Sequence, residues 1–201
     1  MRSAAVGCRA HTGWAAVVVV AGDVTEPEVV LRLRVELADP EGRVRPNVYQ
    51  RSRALGLEPG AAADWVAAAG RIATEQAATA LERTIRNARD EGAAVRSCAV
   101  VVGRFPAAAR LESILASHAL AHAAEGRLYQ QALLRGAESR GLVAVAVPKQ
   151  TIWERGEAAL GVRREVLRGR IDELRRELGP PWAEDQKLAA LAARIALAGP
   201  S

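Results

Sequence analysis

Apolar residues fall along this chain in three patterns, and each predicts a different element. Residues 4–10 and 14–21 are two runs of small and β-branched side chains, interrupted by the polar break His11-Thr12-Gly13. Such a pair predicts a strand, a tight turn and a second strand. Residues 28–37 alternate, with Val29, Leu31, Leu33, Val35 and Leu37 on one side and Val30, Arg32, Arg34 and Glu36 on the other. Period two over this length predicts a third strand with one face wet. Continuous apolar runs at 97–102 and 142–147, closed by Gly103 and Pro148, predict two buried strands.

The remaining apolar positions recur at helical spacing. Residues 61–91 predict a long Ala-rich helix that presents Trp65, Ile72, Leu81 and Ile85 and stops at Gly92. Residues 110–140, 151–178 and 182–197 predict three more. Gly179-Pro180-Pro181 separates the last two, because proline cannot continue a helix but suits the first turn of the next one. Residues 39–60 hold Pro40, Gly42, Pro46, Gly56, Pro59 and Gly60, which predicts a long connection with one short helix at 49–55. Connections of that length often carry function. Within it, Asn47-Val48-Tyr49-Gln50-Arg51 is polar enough to approach a ligand.

The order is therefore β-β-β-α-β-α-β-α-α. Three antiparallel strands come first, and right-handed crossovers make the later strands parallel in the same sheet. With no internal repeat, residues 1–201 are expected to form a single domain.

Composition narrows the class. Half of the residues are hydrophobic and a quarter are charged, as in an ordinary globular protein. Aromatics are only 3%, so the core must be Ala, Val and Leu. The net charge is +5, and among the 28 basic residues only Lys149 and Lys187 are lysines. Arginine in place of lysine is what a bacterial GC-rich genome produces, and a basic balance also permits contact with nucleic acid. Cys8 and Cys98 fall in predicted strands that can be neighbours, which would allow a disulfide, and they are expected as buried free thiols of a reducing compartment. No apolar run reaches the roughly 18–20 residues of a membrane span. The run 14–21 lacks the small-residue cleavage site of a signal peptide. No membrane partner and a cytoplasmic location are expected.

Three segments resemble a known family. Gly7-Cys8-Arg9 with Thr12-Gly13-Trp14-Ala15 resembles the Gly-x-Asp-Pro-Gly…Thr-Gly-Trp segment of the RuvC-type resolvases, shortened in the turn. The helix through Gly136 before the strand at 142–147 resembles their Gly-containing helix. Glu184-Asp185-Gln186-Lys187-Leu188-Ala189-Ala190 resembles their final Asp-x-x-Asp-Ala-x-Ala helix. The resemblance implies a ribonuclease H-like three-layer α/β fold, with a mixed five-stranded sheet flanked by helices. It also implies two divalent cations held by carboxylates that activate a water; nucleic acid or a second copy of the chain, as a homodimer, is the expected partner. The chain departs from the family at those carboxylates. Arg9 stands at the first acid, the strand at 97–102 ends in Gly103-Arg104, and Lys187 stands at the second acid of the last helix, leaving Glu184 for the first.

Other side chains can carry chemistry. His118, His122 and Glu125 are spaced i, i+4, i+7 on one predicted helix, so they share a face. If that helix packs beside the first hairpin, His11 joins them, and the group can hold a divalent metal or act in acid–base catalysis. The His-Glu-x-x-His signature of zinc enzymes is absent, and imidazoles making ordinary hydrogen bonds explain the same spacing. His11-Thr12-Gly13 is also compared with the phosphate-cradling hairpin of actin-like ATPases, whose Asp it lacks. Arg104, Arg110, Arg127, Arg135 and Arg140, with Arg32 and Arg34, can meet phosphate or remain a solvated surface. The mixed charges of 157–178 predict an exposed, ion-paired helix face.

The leading reading is a catalytically degenerate ribonuclease H-like protein acting as a binding or scaffold module. Its binding residues are Arg9, His11, Thr12, Arg127 and Asp185. The alternative is an enzyme with a relocated site built from His11, His118, His122 and Glu125, with Asp185 as a further member, His118, His122 and Glu125 being its catalytic residues, with or without a metal. A third reading is a nuclease using Glu125, Glu184 and Asp185.

Overall fold

The computed structural model describes residues 1–42 and 45–199. Residues 43 and 44 of the long connection, and the last two of the chain, lie outside the described residues. The strands are β1 (Arg2–His11), β2 (Trp14–Gly22), β3 (Pro27–Glu36), β4 (Ala93–Val102) and β5 (Val143–Pro148). The helices are α1 (Val48–Ala54), α2 (Pro59–Asp90), α3 (Leu111–Ala116), α4 (His118–Ser139), α5 (Ile152–Leu160), α6 (Arg164–Leu178) and α7 (Glu184–Leu197). The sheet order is β3-β2-β1-β4-β5. Pairings β1–β2 and β2–β3 are antiparallel, and β1–β4 and β4–β5 are parallel. This is the architecture expected from the order of elements.

Period-two alternation splits each central strand between two cores. Val6, Cys8, Val17 and Val19 face α2 and α4 and pack with Leu81 and Leu133. Ala5, Val18, Val20 and Val101 face α5, α6 and α7 and pack with Leu167, Ile171 and Leu191. Ala-rich helices approach the sheet closely. A Cβ on Gly7 would lie 1.8 Å from the Ala189 carbonyl oxygen, so α7 rests directly on the β1 backbone there. Gly136 plays the same part between helices, where a Cβ would lie 2.9 Å from the Ala78 nitrogen of α2.

Three local expectations are corrected. The alternation of β3 is not continuous: a register shift opposite Val19 and Val20 lets Val29 pack with the α7 core while Leu31, Leu33 and Val35 pack with the α2 core. A bulge admits one extra residue and reverses the facing of what precedes it. The helix expected at 110–140 breaks at Ser117, which is extended and whose Oγ accepts the Leu120 N–H at 3.3 Å, the behaviour of an N-cap. The helix expected at 151–178 breaks after Leu160, and α6 starts where Glu157 Oε1 accepts the Arg164 N–H at 2.9 Å.

The face of β3 expected to be wet carries Arg32, and that side chain is not free. Its Nη1 donates to the carbonyls of Gly179 at 2.7 Å and Pro181 at 2.8 Å, and its Nη2 to Leu178 at 3.0 Å. A cation thus collects the last carbonyl of α6, which its helix leaves unpaired, together with carbonyls of the turn that follows. Trp182 fastens the same corner through Nε1–H donated to the Ile171 carbonyl at 2.7 Å. Among the described residues no helix is long and apolar enough to cross a membrane.

Candidate nucleic-acid interface

The carboxyl ends of β1 and β4 open into a cleft of about 220 Å³. Parallel strands present their ends to one side, and α4 flanks them. Arg9, His11 and Thr12 enter from β1 and the turn after it. Arg104 and Phe105 enter just beyond β4, and His122, Arg127 and Gln130 from α4. The lining therefore holds three arginines, two histidines and no carboxylate. The Arg127 guanidinium lies 5.1 Å from the Phe105 ring centroid, a cation–π contact that leaves its charge exposed to the cleft.

Strand alternation decides what Arg9 and His11 meet. Odd positions of β1 face α7, so both side chains reach its first turn. His11 Nε2 lies 2.9 Å and Arg9 Nε 3.8 Å from Asp185 Oδ1. Both nitrogens lie beside the carboxylate without the alignment of a hydrogen bond. The His11 ring stacks on Trp14 at 4.3 Å and 7°, and the Arg34 guanidinium sits 3.8 Å from the Trp14 ring. His11 is thus held by a ring and a carboxylate at once.

The other acid of the last helix, Glu184, is also answered by a cation. Lys149 Nζ lies 2.9 Å from Glu184 Oε1, and Lys149, with a smaller contribution from Arg9, keeps the Glu184 carboxyl below its ordinary pKa. Lys187 turns back to Asp172 on α6 at 2.6 Å. Among the described residues no three of His, Cys, Asp and Glu come together as metal ligands. The resemblance implied a divalent pair, and the donors present do not fit one. At 4 Å an added positive charge meets a guanidinium with a repulsion of about 4 kcal/mol per unit charge at an effective dielectric near 20.

His118, His122 and Glu125 do share a side of α4, but their neighbours separate them. His118 is exposed beside Gln50, Arg53 and Ala54 of α1. His122 is exposed in the cleft. Glu125 is wholly buried, and its Oε1 accepts the Tyr49 N–H at 2.7 Å. Burial pushes its pKa up to about 7, against the smaller pull of the Tyr49 and Gln50 amides at the start of α1. The four groups expected to converge therefore contribute only His11 and His122 to the cleft. Arg140 is tied down as well, by the Ala78 carbonyl at 3.1 Å and Glu82 at 3.1 Å on α2. Phe105, Gln130 and Lys149 escaped the sequence reading. Phe105 stood beside Arg104 in a segment without periodicity, and nothing local marks the other two.

No protein-family model and no curated protein matches the sequence. Solved structures do match the fold. In fold, the chain resembles RuvC. A structure titled as Thermus thermophilus RuvC in complex with a Holliday junction substrate superposes with a TM-score of 0.53 at 14% identity, covering 97% of this chain and 93% of that one. A second Thermus thermophilus RuvC structure gives 0.51 at 14% identity, over 96% and 93%. The RuvC likeness extends over nearly all of both chains, and at this identity it speaks for the fold alone.

Proposed function

We propose that this protein binds nucleic acid through the cleft at the ends of β1 and β4, gripping the phosphodiester backbone with arginine instead of cleaving it between metal ions. The observation that carries this reading is the lining itself: Arg9, Arg104 and Arg127 with His11 and His122, and no acid among them. Guanidinium groups meet phosphate oxygens in bidentate pairs, which suits a backbone and reads no sequence. The similarity to a protein solved with a Holliday junction makes branched DNA the first substrate to try.

Fluorescence anisotropy with a labelled four-way junction, a duplex and a single strand tests it across a salt series. Three phosphate contacts give a slope of log K against log salt of about −3, and each of Arg104→Ala and Arg127→Ala removes about one unit. A flat salt response, or variants that bind as the parent does, refutes the reading. Mg²⁺- or Mn²⁺-dependent cleavage that is lost in Asp185→Asn refutes the absence of metal-dependent chemistry.

A second reading, an enzyme with a relocated site, is favoured by one observation. His11 and His122 line the same cleft, and Asp185 lies against His11. A carboxylate-held imidazole that shares a cleft with a second imidazole can shuttle a proton without any metal. In this version His118 and Glu125 fall outside the cleft, and Asp185, already a candidate member of the group, supplies the carboxylate. Metal-independent hydrolysis of a phosphodiester, lost in both His11→Ala and His122→Ala, would establish it; hydrolysis indifferent to either change removes it.

A further inference from the structure

A second cavity, of about 510 Å³, lies at the far end of α7, between the turn after β2 and helices α5 and α6. Asp185 occupies the first turn of α7, against Arg9 and His11, and Arg194 lies on the last turns, about 13 Å further along the axis. The cavity walls are aliphatic, formed by Val20, Val29, Leu160, Val162 and Leu174. One charge is set into them. Arg194 lines the cavity, is only 6% exposed, and its buried Nε has no hydrogen-bond partner. Arg170 stands exposed at the same opening. Burial, and after it the Arg170 charge, lowers the Arg194 pKa.

A guanidinium does not lose its proton in a protein, so this charge persists inside an apolar wall. The last turn of α7 offers it only the fractional negative charge of a helix end. A buried charge without a counter-ion is strongly unfavourable, and a ligand that supplies one is correspondingly held. The shape of the site selects the ligand. A single buried planar fork matches one carboxylate, and the aliphatic walls require an apolar body behind it. Glu26 and Arg170, both exposed at the opening, carry opposite charges and offset one another, which leaves the single charge of Arg194 for the ligand to answer.

We propose that this cavity binds a small monocarboxylate with an aliphatic or aromatic body, its carboxylate on Arg194 and its body along the Val and Leu walls. The site is separate from the cleft and does not rest on the nucleic-acid reading.

Calorimetric titration of the full chain with sodium octanoate, 4-phenylbutyrate, 1-octanol and octyl phosphate tests it, beside thermal melts. At least one of the two carboxylates is expected to bind with a stoichiometry of one and to raise Tm with concentration. The alcohol, which offers no charge, is expected to be weaker by about tenfold or more. Arg194→Leu is expected to fold, because it replaces an unpaired charge by an apolar group, and to lose carboxylate affinity by at least about tenfold. Val162→Glu places a negative charge in the wall and is expected to abolish binding without touching Arg194. The proposal is overturned if neither carboxylate binds, if octyl phosphate binds more tightly than octanoate, or if either variant binds as the parent does.

Discussion

Glu125 gives the sharpest quantitative test of the structure. Glu125→Gln keeps the shape of the side chain and an oxygen for the Tyr49 N–H, but removes the titration. In the folded chain the carboxyl titrates near 7, raised by burial from an ordinary value of 4.5. The folded state therefore holds the proton more tightly than the unfolded state. Stability from this group is fully present below about pH 4.5 and is lost as pH rises through about 7. One pKa unit is worth about 1.4 kcal/mol, so linkage predicts a loss of roughly 2–3 kcal/mol between pH 5 and pH 8. The buried Oε2, which has no partner, is the natural seat of that proton. Urea denaturation of both proteins at pH 5, 6, 7 and 8 measures the effect. The difference between them is the informative quantity, because every other titratable group is common to both proteins and cancels. Asp23 and Glu184, whose pKa values are lowered, titrate below this window. The parent is expected to lose ground steadily against Glu125→Gln as pH rises. A difference constant with pH would mean that Glu125 is solvated, and that its contact with the start of α1 is not as described.

Three further outcomes follow from the packing. Arg32→Ala releases the carbonyls at the end of α6 and is expected to lower stability by about 2 kcal/mol, with Arg32→Lys recovering little because an ammonium lacks the fork; an unchanged urea midpoint would contradict this. Cys8 and Cys98, wholly buried with their sulfurs 3.8 Å apart, are expected to react with a thiol reagent only in denaturant, and the Cys8 thiol is held protonated by its contact with Cys98 and by burial; rapid labelling of the native protein would show that β1 and β4 separate. Gly7→Ala drives a methyl into the Ala189 carbonyl and is expected to cost at least about 3 kcal/mol or the fold itself, read as lost soluble yield or a lowered Tm; a parental melting curve would place α7 farther from β1.

The sequence alone determined the five strands, their order and the mixed sheet, because period two, apolar runs and Gly or Pro stops are local signals that survive without neighbours. It also determined that Arg9 and Lys187 stand where the resemblance expects acids, since identity at a position needs no coordinates. What sits beside what was decided only by tertiary structure. Helical spacing put His118, His122 and Glu125 on one side of α4, and it could not say that α1 would cover Glu125 while leaving His118 exposed. The alternation of β3 did not reveal the bulge that turns Val29 to the other core, because a bulge is a property of the pair of strands. Arg170 read as part of a solvated, ion-paired face, yet it stands with Arg194 at a cavity made by elements far apart in the chain. Burial and charge pairing depend on contacts across the sequence, and those are created only when the helices close on the sheet.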